Sequence, residues 1–408
     1  MTDRLRILVT HPWMGRGGSE ATAVWTLQAL QDDHEVTFVT ASDLDWSELN
    51  GAYGCSVDPE KVTCLRAPRL PSVNSGTRLV NLQHRYFEKH CHSIAGEFDL
   101  CISSYNPVDF GKSGIQLIGD FSFSEEMRKL LYVHGDDSFR HRESFLRKCY
   151  LKVADMVGIT QCPLEDRGDY ILANSDWAVG QLDEFFNVQN SPVIYPPVVL
   201  PQAIPGTARD PLGFACLGRV SPEKELDRII EILTEVRKQG PAVSLQLIGG
   251  LGDDPYSQKI RSMIDEHGDW ITPVGYLNLD EKQELLSRQS FALHACRIEA
   301  FGIAVAEMAS LGCVPFIPDT GGAGEIVPFP ELQFGEKEEA VSKILSILEN
   351  PARIEELRFQ LAEEVAKFGP SIFMKDLRDH VSRFISLHQS GDDHVPDATS
   401  GKSLSPTH

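Results

Sequence analysis

The sequence predicts an α/β chain with two doubly wound, parallel-sheet, Rossmann-like domains. Three observations carry that prediction. Short apolar runs of strand length alternate with amphipathic helical stretches along most of the chain. The alternation breaks once, at Tyr195-Pro196-Pro197-Val198 with Pro201, Gln202, Pro205, Gly206 and Pro211 following. Proline lacks a backbone donor and restricts its predecessor, so this stretch reads as an interdomain linker. The pattern then starts again, and 408 residues at 42 % hydrophobic content suffice for two or three cores. Sheets of this kind place ligands at the carboxyl ends of their strands.

The first half opens with the strand RILVT (6–10). His11-Pro12-Trp13-Met14 and Gly15-Arg16-Gly17-Gly18-Ser19-Glu20 follow, with Ser19 as a candidate N-cap for a helix over Ala21–Leu30. A Gly-rich loop between a strand and a helix lets a phosphate approach the backbone. As a dinucleotide fingerprint it is poor, because Glu20 stands where the third glycine belongs. A tight turn needing glycine is the plainer alternative. HEVTFVT (34–40) is the next strand, and residues 41–90 are less regular. There Arg66, Arg69, Arg78 and Arg85 read as a solvated basic surface. Strands are expected at 98–106 and 114–121, the second running into Asp120. Arg140, His141, Arg142, Arg147 and Lys148 form the densest basic cluster. That cluster reads as a solvated helix face, or as a patch for an anionic acceptor or lipid head group. Residues 170–198 read as strand, capped turn at Asn174-Ser175, helix, strand.

In the second half, Phe214–Val220 is a strand and Ser221-Pro222-Glu223-Lys224 caps a helix running to about Lys238. Arg219 and Lys224 thus lie close together around a tight turn at a strand's carboxyl end. Two cations there can clamp a diphosphate and stabilise charge on a leaving group; a salt-bridged turn is the alternative. Strands follow at 243–250 and 270–276. The functional centre is 291–327, FALHACRIEAFGIAVAEMASLGCVPFIPDTGGAGEIV, read as strand, turn, helix, strand, turn. A helix starting directly after a strand aims unpaired N–H groups and a positive dipole end out of the sheet, which favours an anion. Gly302 keeps that turn free of a side chain. Glu299 and Glu307 flank the helix end and suit a ligand with hydroxyls on both sides of its phosphates; an ordinary βαβ unit with two surface glutamates is the equal alternative on pattern alone.

The run E-A-F-G-I-x-V-x-E-M-A-x-L-G-C-V-P from Glu299 resembles the E-x7-E signature of the retaining nucleotide-sugar glycosyltransferases with the GT-B fold, glycosyltransferase family 4 (glycosyl transferases group 1). Gly321-Gly322 with Glu325, the G-R-V-S-P-E-K run at 218–224, A-N-S at 173–175, V-I-Y-P-P-V and G-G-S-E resemble the family too. The resemblance covers most of 1–387 and is strongest in 170–198, 213–226 and 291–327. It implies two domains facing across a cleft: residues 1–198 on the acceptor side and 199–369 holding the nucleotide sugar. A helix over 370–388 would cross back to the first domain, ahead of a disordered tail at 389–408.

The resemblance also implies roles. Arg219, Lys224 and the backbone N–H groups of Ala300, Phe301, Gly302 and Ile303 would take the diphosphate. Glu307 would take ribose hydroxyls, Glu299 sugar hydroxyls, and Tyr276 and Leu277 the base, while Gly17 and Gly18 would lie near the donor phosphates. The implied catalytic set is Glu299, Asp120, Arg219 and Lys224. Many members end the stretch matching 114–121 with a histidine, where this chain has Asp120; His134 is a rival for the missing imidazole. Ionised aspartate only accepts hydrogen bonds, so it suits a sugar hydroxyl or an assisted proton. Retention without a clear enzymic nucleophile implies front-face attack. The paired glutamates with Arg219 and Lys224 argue against a sugar-nucleotide epimerase, and no lysine context suggests a phosphorylase's pyridoxal phosphate. A non-catalytic nucleotide-sugar binder is the remaining alternative, to which the Asp120 departure points.

Composition narrows the partners. Lys+Arg total 38 against 59 Asp+Glu, a formal net charge of −21. That disfavours nucleic acid, which needs clustered cations, and disfavours attraction of the whole protein to an anionic membrane. Cysteines at 55, 64, 91, 101, 149, 162, 216, 296 and 313 form no C-x-x-C pair and no zinc spacing. The expectation is a reducing cytosol, no metal and no resident cofactor, the nucleotide-diphospho-sugar being a co-substrate. The N-terminal apolar run is too short for a signal peptide, and no window reaches the length of a membrane span. The reading is a cytoplasmic glycosyltransferase acting on a saccharide or lipid-linked acceptor in surface polysaccharide or glycoconjugate assembly. Contact with the inner membrane face would be peripheral at most.

Overall fold

The computed structural model describes residues 4–69, 79–131, 144–160, 162–200 and 208–389. Six strands form a first sheet: β1 (Arg6–Thr10), β2 (Glu35–Thr40), β3 (Val62–Arg66), β4 (Leu100–Ser103), β5 (Ile115–Ile118) and β6 (Tyr170–Ala173). Six form a second: β7 (Asp210–Leu217), β8 (Ser244–Ile248), β9 (Ile271–Gly275), β10 (Gln289–Leu293), β11 (Val314–Pro318) and β12 (Gln333–Phe334). Their orders are β3-β2-β1-β4-β5-β6 and β12-β11-β10-β7-β8-β9. Every pairing is parallel. Each sheet starts at its centre, winds to one edge, then returns and winds to the other. The winding reverses between β1 and β4 in one sheet and between β7 and β10 in the other, the positions where such sheets bind ligands.

Parallel sheets covered on both faces require apolar strands rather than alternating ones. Accordingly β4, β5, β10 and β11 are buried at every position. Phe214 of β7 stacks on Phe291 of β10 with ring centroids 5.0 Å apart. The first sheet's core contains Ile7, Val9, Leu27 and Phe38, together with Phe373, Leu377, Val381 and Phe384 of the last helix, Pro370–Gln389. Arg378 Nε of that helix donates to the Ala29 carbonyl at 2.7 Å. The apolar 3.6-residue spacing of 373–384 therefore faces a domain distant in sequence. Among the described residues no helix is long and apolar enough to cross a membrane.

Five local expectations are corrected. Residues 41–90 are regular: they hold the helix Trp46–Tyr53, β3 and the helix Val80–Ile94. β3 escaped notice because four of its five residues are exposed on a sheet edge, so it lacks an apolar run. Its neighbourhood is less a free basic surface than an ion-paired one: Arg66 bonds Asp43, Arg69 Nε the Ala41 carbonyl, and Arg85 Glu88 and Asp155. Arg78 lies outside the described residues. The helix after β1 begins at Gly18 with Gly17 as cap, and Ser19 Oγ bonds Glu20 instead of the backbone. Pro222–Lys224 is a separate 3-10 turn; Glu225 at φ 47° then restarts the chain into the helix Leu226–Gln239. Finally, Arg147 and Lys148 do not share a face: Arg147 is buried on Glu125 while Lys148 is exposed. Arg140, His141, Arg142, residues 201–207 and the tail from 390 lie outside the described residues.

Candidate functional site

The site forms where β7 and β10 end side by side. After β7 the chain passes Gly218, at φ 152°, into Arg219. Gly249, after the neighbouring β8, has φ 153°, and a Cβ there would stand 2.0 Å from the Gly218 carbonyl oxygen. Glycine is therefore required where these two strand ends meet. After β10 come buried His294 and Cys296, then Glu299, and Gly302 at φ 105° heads the helix Ile303–Ser310. The loop after β11 presses on this turn. A Cβ on Gly321 would lie 2.7 Å from the Glu299 carbonyl oxygen, and one on Gly322 2.0 Å from that of Ala300. Gly322 N–H donates to the Glu299 carbonyl at 2.7 Å. The glycine pair thus fixes the backbone on which Glu299 stands.

Lys224 Nζ lies 2.5 Å from Glu299 Oε2, and His294 Nε2 3.2 Å from the same oxygen. Burial alone would raise the Glu299 carboxyl, but Lys224 and then His294 hold it well below the usual carboxylate range. Burial opposes the Lys224 ammonium as well, and Glu299 keeps it above the usual lysine value. Burial pushes the Cys296 thiol up to about 12. His294, Cys296 and Glu299 place one ligand atom each within 4.8 Å of one another, a grouping that spacing rules had not revealed. The Lys224 ammonium already supplies a cation to this cluster, and the thiol is protonated at neutral pH. A divalent ion would have to displace the one and ionise the other.

Glu307 accepts from Lys282 Nζ at 2.6 Å, with both side chains mostly enclosed. Glu299 and Glu307 are thus lysine-paired, rather than open acceptors. Tyr276 is 62 % exposed and lies over Gly250, where a Cβ would be 2.2 Å from its ring. Leu277 packs against the cluster containing Leu286 and Met308.

The first domain meets this site directly. A Cβ on Gly18 would lie 2.7 Å from Ile303 Cδ1, so the Gly-rich loop touches the head of the second domain's helix. Gly17 N–H donates to Tyr53 Oη at 3.0 Å, and Tyr53 donates to the Gly15 carbonyl at 3.0 Å. Ser175 Oγ donates to the Ala300 carbonyl. Glu325 accepts from Asp176 N–H at 3.1 Å and Trp177 N–H at 3.0 Å, so a carboxylate of one domain caps the helix Asp176–Phe186 of the other.

Asp120, beyond β5, accepts from Tyr105 Oη (3.0 Å), Asn106 Nδ2 (2.8 Å) and Ser122 N–H (2.9 Å) and Oγ (2.6 Å). Arg219, with its side chain 70 % accessible, lies 3.8 Å from Glu223. Desolvation works against its charge, and Glu223 foremost raises its basicity above the ordinary arginine value. His134 lies outside the described residues.

Two imidazoles were missed by the sequence reading. His294 carried a signal, H-x-C-x-x-E at a strand end. His11 follows β1 at the winding reversal, is 3 % exposed, and packs its ring 5.4 Å from Tyr105. Neither of its ring nitrogens makes a well-formed hydrogen bond, and burial lowers its pKa.

Comparison with known proteins agrees with this fold. Residues 203–368 match the family model described as Glycosyl transferases group 1. The gpi3 subunit of phosphatidylinositol N-acetylglucosaminyltransferase from Schizosaccharomyces pombe is 26 % identical over 134 residues, 32 % of this chain and 29 % of that protein. The chain thus matches under a third of that relative's length. Anabaena HepE, solved with UDP and glucose, superposes with a TM-score of 0.65 at 16 % identity, covering 93 % of this chain and 100 % of that one. Sucrose-phosphate synthase from Thermosynechococcus elongatus gives 0.69 at 15 % identity, covering 94 % and 100 %. At such identities the likeness establishes the fold. The chain therefore has the GT-B architecture of two Rossmann-like domains, and its second half carries a Glycosyl transferases group 1 domain.

Proposed function

We propose that this protein is a retaining glycosyltransferase of family 4. It moves a hexosyl group from a nucleotide-diphospho-sugar to a saccharide or lipid-linked saccharide. The observation carrying this reading is the convergence of Arg219, the Lys224–Glu299 pair and the Gly302-headed helix at the carboxyl ends of β7 and β10, with Gly18 of the Gly-rich loop against Ile303. Arg219 and Lys224 bind the diphosphate, with the N–H groups of Ala300 to Ile303 behind it. Bound phosphate supplies a second anion to Lys224, so the lysine bridges phosphate and Glu299. Glu299 then has lone pairs for sugar hydroxyls. Glu307 takes the ribose, with Lys282 fixing its carboxylate. Tyr276 and Leu277 border the base.

As the glycosidic bond to the diphosphate breaks, charge grows on the leaving oxygen, where two fixed cations stabilise it. The acceptor attacks from the face the phosphate leaves, and the phosphate takes its proton. Asp120, held by four donors, orients a sugar or acceptor hydroxyl across the cleft. Closure of the domains excludes water and limits hydrolysis. The setting is surface polysaccharide or glycoconjugate assembly in the cytoplasm.

A thermal-shift panel of UDP, GDP, ADP and their sugar conjugates tests the donor site. UDP goes first because the HepE structure of the same fold holds it. A ligand at a hundred times its dissociation constant adds about 2.7 kcal/mol. One nucleotide should stabilise the wild type and not Arg219→Ala. No shift with any of them overturns the assignment.

A further inference from the structure

The surface of the first domain carries an apolar stripe that the donor site does not use. The helix Phe145–Val157 exposes Phe145 (79 %), Leu146 (72 %), Val153 (49 %) and Met156 (84 %). Leu130, at 50 %, lies on the helix Glu125–Leu131. At 3.6 residues per turn, Lys148, Lys152, Phe145, Met156, Val153 and Leu146 span about 160° of one face. The opposite face is anchored: Ala154 is buried, Arg147 is buried on Glu125, and Leu82 N–H donates to Tyr150 Oη. The stripe is therefore a presented surface of a fixed helix.

Its charge has the wrong sign for a chain of net −21. Lys148 and Lys152 are exposed along the stripe, and the exposed acid of this helix, Asp155, is bonded to Arg85. Apolar side chains flanked by lysines suit a surface whose interior is hydrocarbon and whose head groups are anionic.

We infer that the helix Phe145–Val157, with Leu130 beside it, seats the first domain on an anionic lipid surface, the apolar stripe entering the head-group layer and Lys148 and Lys152 meeting lipid phosphates. This goes beyond the donor chemistry and does not depend on it. The exposed positions leave the core untouched, so variants there keep the fold.

Flotation of the full chain with vesicles of phosphatidylcholine alone, or with three-tenths phosphatidylglycerol, provides the test. The wild type should float with the anionic vesicles and weaken as salt rises. Phe145→Gln with Met156→Gln should lose on the order of tenfold or more in binding. Lys148→Glu with Lys152→Glu should lose roughly tenfold on anionic vesicles only. Melting temperature and nucleotide binding of these variants should match the wild type, separating failure here from failure of the donor site. The inference is overturned by a wild type that ignores anionic vesicles, or by binding that survives both double variants. It is equally overturned if light scattering finds a dimer that the apolar double variant abolishes, since the stripe would then pair with a second copy.

Discussion

Lys224 Nζ and Glu299 Oε2, 75 residues apart in sequence, stand 2.5 Å apart across the ends of β7 and β10. This contact joins the two strands whose divergence opens the ligand crevice. It also stores an ammonium where a leaving diphosphate would need one.

Replacing Lys224 by alanine should lower turnover on the order of a hundredfold or more, because the lost contact strengthens as charge develops on the leaving group. Steady-state kinetics with the donor found by thermal shift would read this. Turnover near the wild-type value would remove Lys224 from the clamp.

The same pair sets a pH signature. Glu299 is held below its ordinary value of 4.5 and Lys224 above its ordinary 10.5. The carboxylate's contribution to stability is therefore present above about pH 4.5 and fades as acid approaches its lowered folded value. The ammonium's contribution is full below about pH 10.5 and fades only as the pH climbs toward its raised folded value. Glu299→Gln should cost on the order of 3 kcal/mol between those limits. Denaturant unfolding at pH 7 and pH 3 should find the difference from wild type narrower at pH 3.

Glycine substitutions should separate a rigid contact from a soft one. At Gly322 an added Cβ meets the Ala300 carbonyl at 2.0 Å, and backbone cannot step aside cheaply. Gly322→Ala should cost roughly 1–3 kcal/mol and weaken donor binding by moving Glu299. At Gly18 the Cβ meets the flexible end of Ile303, so Gly18→Ala should be mild. Calorimetry and donor titration of the two variants would compare them; equal effects would contradict the geometry.

Much of the frame was legible in the sequence. β10 and β11 are fully buried runs, and β1 and β2 largely buried ones, whose apolar character announces them, and the E-x7-E segment marked the strand, turn and helix around Gly302. What the sequence hid depends on partners far along the chain. β3 reads as loop because its edge position leaves it exposed. The left-handed Glu225 splits what looked like one helix start, and non-glycine residues seldom signal that conformation. That Glu299 and Glu307 each hold a lysine depends on tertiary placement of Lys224 and Lys282. Glu325 matched a motif, but its task of capping the helix Asp176–Phe186 lies across a domain boundary.

That cap gives a further expectation. Glu325→Ala removes the acceptor for two orphan N–H groups and should cost about 1–2 kcal/mol. Because donor and acceptor lie on different domains, limited proteolysis at the boundary should also speed up. An unaltered cleavage rate would mean that Ser175 and Gly18 hold the interface without it.

The last helix carries a consequence for biosynthesis. Phe373, Leu377, Val381 and Phe384 fill the first sheet's core, yet the ribosome delivers them only after the whole second domain. The nascent first domain therefore waits with an open apolar face while more than a hundred residues are added behind it. Its completion waits on residues made after the second domain, and a message cut short after Gly369 would yield two sheets of which only the later one has its full covering.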